Sequence, residues 1–165
     1  MRIILIRHAE REYTAGVAEE NQALTAKGIK NCRKLGELIA LHEPDVKAIF
    51  SSPYRRATQT AAYLLPYLPT LQIYRVDEAL SINPNVATQP SIELLESYEN
   101  YNCVALVGHK PELEQLITAL CGEEVGLKKA HAVCIEVGSD FQNGKLLWHL
   151  SPKSAAVALS EDVDF

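Results

Sequence analysis

Ile3-Ile4-Leu5-Ile6-Arg7-His8 opens the chain with four β-forming apolar residues that stop at two basic ones. An uninterrupted apolar run suits a strand covered on both faces, because a half-exposed strand alternates apolar and polar positions. Cys103 to Val107 repeats the pattern and breaks at Gly108-His109-Lys110-Pro111. Val46 to Phe50 and Leu71 to Val76 read as two further strands. Helical spacing separates them. Ile29, Cys32, Leu35, Gly36 and Ile39 recur behind Thr25, whose hydroxyl suits an N-cap. A second helix is predicted from about Arg56 to Leu65, stopped by Pro66, and a third is marked by Ile92, Leu95 and Tyr98. Leu113, Leu116, Ile117 and Leu120 mark a fourth, with Gly122 as its stop. Asp77 to Pro90 lacks periodicity and reads as a loop. Val133 to Val137 and Leu146 to Leu150, joined through Asn143-Gly144, predict an antiparallel hairpin.

Strands alternating with helices predict an α/β chain with three α/β/α layers, a mostly parallel sheet and an antiparallel edge. A length of 165 residues with 47% hydrophobic content predicts one domain over residues 1–165, its end from about 153 to 165 a frayed tail. The formal net charge of −5 argues against a general nucleic-acid binder, which needs surplus Lys and Arg along the phosphate backbone. Any anion site must be built locally. The N-terminal apolar run is too short for a signal peptide or membrane span, so no membrane association and a cytoplasmic location are expected. Cys32, Cys103, Cys121 and Cys134 are scattered, each within an apolar segment, as buried reduced thiols are.

In an open α/β sheet, ligands bind outside the carboxyl ends of the strands. Arg7 and His8 follow the first strand, Ser52 to Arg56 the second, Glu78 the third and His109 the fourth. Any one of these alone reads most simply as a solvated loop or helix-cap residue. Together they put two guanidiniums, two imidazoles and a carboxylate at one end of the sheet. Guanidiniums offer planar forks of donors to phosphoryl oxygens. Neutral imidazole can attack phosphorus through one nitrogen while the other donates its proton to a carbonyl that fixes the tautomer. A second histidine can stabilise charge in the loose transition state. A zinc hydrolase built from His8, His109 and Glu10 or Glu78 is a weaker alternative, since two arginines would oppose a dication and no zinc-binding spacing appears. A non-catalytic phosphate-binding adaptor is a further one.

LIRHAE at Leu5 to Glu10, LTAKG at Leu24 to Gly28, SSPYRRATQT at Ser51 to Thr60 and LVGHKP at Leu106 to Pro111 together resemble the histidine phosphatase superfamily, with its phosphoglycerate-mutase-like fold. Length and layout are similar to its short SixA-type phosphohistidine phosphatase branch. The resemblance implies that His8 is the phosphorylated nucleophile, that Arg7 and Arg56 clamp phosphate, and that His109 is the second pocket histidine. It implies no metal and no cofactor. Glu78 falls where many members keep a proton donor, although EALSINPN is only loosely similar. Ala9 stands where RHG is usual, so any close approach of that backbone to phosphate must tolerate a methyl group, and an altered rate is expected. The register of SPYRRA assigns the clamp to Arg56 and leaves Arg55 facing solvent.

The connection from Val76 to Cys103 is too short for the substrate-covering insertion of larger members, so an open pocket is expected. That favours a phosphorylated protein carrying phosphohistidine, whose leaving imidazole has a pKa near ~6.5 and needs little help from an acid. A small phosphate ester is the alternative substrate.

Overall fold

The computed structural model describes residues 1–82 and 89–154. In chain order, β1 spans Arg2–Arg7, α1 Ala26–His42, β2 Ala48–Ser51, α2 Arg55–Leu64 and β3 Ile73–Val76. They are followed by α3 Gln89–Glu96, β4 Cys103–Gly108, α4 Glu112–Cys121, β5 Ala132–Glu136 and β6 Lys145–Leu150. The strands form one sheet in the order β3-β2-β4-β1-β5-β6. The first four run parallel, β5 is antiparallel to β1, and β6 is antiparallel to β5.

The apolar runs of β1 and β4 are the two central strands, and their side chains divide between two cores with the period of a strand. Ile4, Ile6, Cys103, Ala105 and Val107 pack with Leu35, Leu38 and Ile39 of α1 and Ala57, Ala61 and Leu64 of α2. Ile3, Leu5, Val104 and Leu106 pack with Leu95 of α3 and Leu113, Leu116 and Ile117 of α4 on the opposite face. Three layers follow directly. β3, at the edge, is mostly exposed, which accounts for its tolerance of Tyr74 and Arg75.

Thr25 caps α1 as expected, its hydroxyl accepting from the Gly28 amide at 2.9 Å. Gly28 is required by close approach, since a Cβ there would lie 2.4 Å from the Glu10 carbonyl oxygen. α1 is thereby docked on the segment that leaves β1. Gly122 ends α4 with φ 75°, the left-handed conformation that glycine adopts without penalty. The predicted loop after β3 holds a 3₁₀ turn at Glu78–Leu80, and its residues 83–88 lie outside the described residues. Of the tail expected to fray, Lys153 and Ser154 belong to a helical turn and residues 155–165 lie outside the described residues.

Candidate active site

β1, β2 and β4 end side by side and deliver Arg7-His8, Ser52 and His109 to one place. Packing orients each of them. The His8 amide donates to the Gly108 carbonyl (3.0 Å) and the Ser52 amide to the Val107 carbonyl (2.9 Å), which staples the three strand ends together. The imidazoles of His8 and His109 are 5.2 Å apart between centroids. Both are buried, His8 being 5% and His109 2% exposed.

His8 Nδ1 lies 2.7 Å from the Ala9 carbonyl oxygen, which can only accept, so Nδ1 carries the proton and Nε2 keeps its lone pair. Burial lowers the His8 pKa to about 3, helped by the charges of His109, Arg56 and Arg7 and opposed by the bond to Ala9. Burial, with Arg56, Arg7 and Arg11 adding to it, lowers that of His109 to about 3 as well. Both rings are therefore neutral at pH 7. Ser52 favours one tautomer of the second ring. Its Oγ accepts from the Tyr54 amide at 3.2 Å, and its hydroxyl hydrogen, which has no other acceptor among the described residues, is placed to donate to His109 Nε2 at 2.7 Å, the arrangement that puts the proton of that ring on Nδ1.

Arg56 is 4% exposed at the start of α2, whereas Arg55 is exposed, as the motif register requires. The Arg56 guanidinium lies 4.9 Å from the Tyr54 ring centroid, and Tyr54 in turn meets the His109 ring edge-on at 5.0 Å. Arg7 Nη1 donates to the Leu127 carbonyl at 3.2 Å. Burial lowers the pKa of both guanidiniums without removing their charge. Four buried donors in this cluster have no partner: Arg7 Nε, Arg11 Nη1, Arg56 Nε and His109 Nδ1. Buried N–H groups are normally paired, and unpaired ones converging from four residues suit an anion with several acceptor oxygens.

Arg11 is a residue that sequence reasoning missed. Its guanidinium reaches Glu19, which also holds Arg56, and its charge acts on His109. The only signal was its position three residues after His8, within a polar stretch without periodicity. Ser52 was noted in the sequence by place but not by role. Glu78 opens the 3₁₀ turn after β3. It is exposed, and among the described residues its side chain makes no hydrogen bond or ion pair. Ala9 is fully buried against Leu24, Cys32 and Ala130, and its amide donates to Thr60 Oγ1 at 3.0 Å. The methyl group thus faces the core, and the amide is already satisfied within the protein. The expected effect on rate has no structural basis here.

No group of three His, Cys, Asp or Glu side chains among the described residues is placed to share a metal ion, so the zinc alternative lacks a ligand set there. A surface cavity of about 460 Å³, lined by Ile92, Thr118, Cys121, Phe141 and Asn143 among others, opens at the other end of the sheet and contains neither His nor Arg.

Residues 3–81 match the family model of the histidine phosphatase superfamily, branch 1. Beyond those residues the likeness to the superfamily is one of fold, as the solved structures show. A structure of the protein histidine phosphatase SixA with tungstate superposes with a TM-score of 0.76 at 20% identity, covering 93% of this chain and 99% of that one. A SixA-type protein from Agrobacterium tumefaciens gives 0.78 at 23% identity, over 92% and 98%. The α-ribazole phosphatase from Shigella flexneri gives 0.72 at 20% identity, over 92% and 97%. A search of curated protein sequences finds no match.

Proposed function

We propose that the chain is a metal-independent phosphatase in which His8 Nε2 attacks phosphorus, and that its substrate is phosphohistidine on a protein. The observation that carries this reading is the group of four unpartnered buried donors beside a neutral histidine whose tautomer is fixed by Ala9. Arg7, Arg11 and Arg56 bind the phosphoryl oxygens, and His109 Nδ1–H donates to one of them. Negative charge so close raises the His109 pKa and strengthens that bond as charge spreads over the oxygens in the transition state. As the bond to His8 Nε2 forms, the P–N bond to the substrate histidine breaks and its imidazole leaves; water then attacks the phosphorus of phospho-His8, releasing phosphate and restoring neutral imidazole.

Glu78 is exposed and, among the described residues, its side chain makes no hydrogen bond or ion pair, which accords with a leaving group that needs little protonation, and an imidazole meets that condition where an alkoxide does not. The SixA likeness points the same way. Four unpaired cysteines accord with a reducing compartment such as the cytoplasm, and no helix among the described residues is long and apolar enough to cross a membrane. The α-ribazole phosphatase likeness supports the second reading, a small phosphate ester on the same site.

Purified protein assayed against a phosphohistidine protein and a panel of phosphate esters tests the choice. Turnover should survive excess EDTA and stop with vanadate, and an acid-labile phosphoenzyme should form in wild type and not in His8→Ala. A phosphoenzyme that persists in His8→Ala refutes the nucleophile. Preference for an ester over phosphohistidine refutes the substrate.

A further inference from the structure

The segment between β1 and α1 carries no regular element beyond a 3₁₀ turn at Glu19–Asn21, yet it is firmly built. Its base is zipped by a bridge between Arg11 and Leu24 and by the Glu12 amide donating to the Ala23 carbonyl at 2.7 Å. Its interior is tied by Gln22, 5% exposed, whose amide nitrogen donates to the carbonyls of Thr14 (3.2 Å) and Val17 (2.7 Å) while its oxygen accepts from the Thr14 amide (2.9 Å). A loop closed on itself in this way presents its tip at a defined place. That tip is Glu19.

Glu19 Oε1 lies 2.8 Å from Arg11 Nη2 and 3.2 Å from Arg56 Nη2, and the Glu19 carbonyl accepts from Arg56 Nη1 at 3.0 Å. A surface ion pair would ordinarily count for little. These partners are not on the surface, because the Arg11 and Arg56 side chains are 11% and 4% exposed. Each guanidinium is held by Glu19 at one edge and keeps one buried donor unmet, Arg11 Nη1 and Arg56 Nε. An arginine head on a flexible stem otherwise samples many orientations, and two adjacent guanidiniums repel each other.

We propose that Glu19 is a positioning residue for phosphoryl transfer: its carboxylate fixes the Arg11 and Arg56 forks so that their remaining donors meet the transition-state oxygens. This rests on reading the pocket as a phosphoryl site. Glu19 also opposes the phosphate charge, so it trades ground-state attraction for transition-state geometry. That trade gives the residue a signature that mere support of the loop would not produce.

The test is Glu19→Gln in the full chain, which keeps side-chain size and removes the charge. Turnover of p-nitrophenyl phosphate, the vanadate inhibition constant and inorganic phosphate binding by calorimetry are measured against wild type, with circular dichroism to confirm folding. Loss of fixed orientation should lower kcat by about tenfold or more and weaken vanadate in parallel, as for a transition-state contact. Inorganic phosphate should bind as tightly as to wild type or more tightly, because a repelling charge is gone. A kcat within about twofold of wild type overturns the inference, as does phosphate affinity that falls together with kcat. Wild type that neither turns over nor binds phosphate overturns the phosphoryl-site reading itself; an active wild type with an indifferent Glu19→Gln overturns only the role of Glu19.

Discussion

Replacing Arg55 and Arg56 by alanine one at a time tests the proposed phosphate-binding role of Arg56 against its helical neighbour. Arg56 is buried, holds Glu19 with Nη1 and Nη2, and leaves Nε–H unpartnered beside the two histidines. A hydrogen bond to a charged group contributes about 1.5–3 kcal/mol, which corresponds to roughly ten- to 150-fold in kcat/KM. Because the Arg56 bond is charge-assisted at both ends and desolvated, we expect Arg56→Ala to fall in the upper part of that range, about a hundredfold or ~2.7 kcal/mol. The fold should survive, since the Glu19 carboxylate is half exposed and keeps Arg11 as partner. Arg55 points to solvent, and Arg55→Ala should stay within about twofold, because adjacent helical residues diverge by ~100°. Steady-state kinetics on both variants, with circular dichroism as the folding control, decides the matter. If Arg55→Ala is the more damaging, or if folded Arg56→Ala is within about threefold of wild type, the assignment of the second clamp is wrong.

His8 is neutral when folded with a pKa of about 3 and titrates near ~6.5 when unfolded, so the unfolded state binds the extra proton as pH falls. Stability should therefore drop by up to about 1.4 kcal/mol per pH unit below ~6.5 for this residue, and His8→Ala should gain on wild type in melting temperature between pH 7 and 4; parallel curves would contradict its buried neutral state. Gly28→Ala would drive a methyl group against the Glu10 backbone and should cost ~1–3 kcal/mol, seen as several degrees in Tm. Ala9→Gly should leave kcat unchanged within about twofold while costing ~1 kcal/mol of stability, since the methyl packs against Leu24, Cys32 and Ala130 rather than facing the pocket; a changed rate with unchanged stability would reverse that account.

Much of this was legible in the chain because it depends on local pattern. Two apolar runs ending in Arg7-His8 and Gly108-His109 specify buried strands with basic residues at their carboxyl ends, whatever else the chain does. The cap at Thr25, the stop at Gly122 and the burial of Arg56 beside an exposed Arg55 follow from backbone chemistry and helical geometry confined to a few residues. Contacts across the chain were not legible. Nothing local tells that Thr60 takes the Ala9 amide, that Ser52 meets the His109 ring, or that Glu19 lies between Arg11 and Arg56. Glu78 was legible only by its place after β3, where a 3₁₀ turn leaves it exposed. Sequence pattern dictates which residues reach the end of the sheet, since strand and helix periods are short-range. Which of them touch, and which are stripped of water enough to shift their charge, is decided only when distant segments pack and exclude solvent.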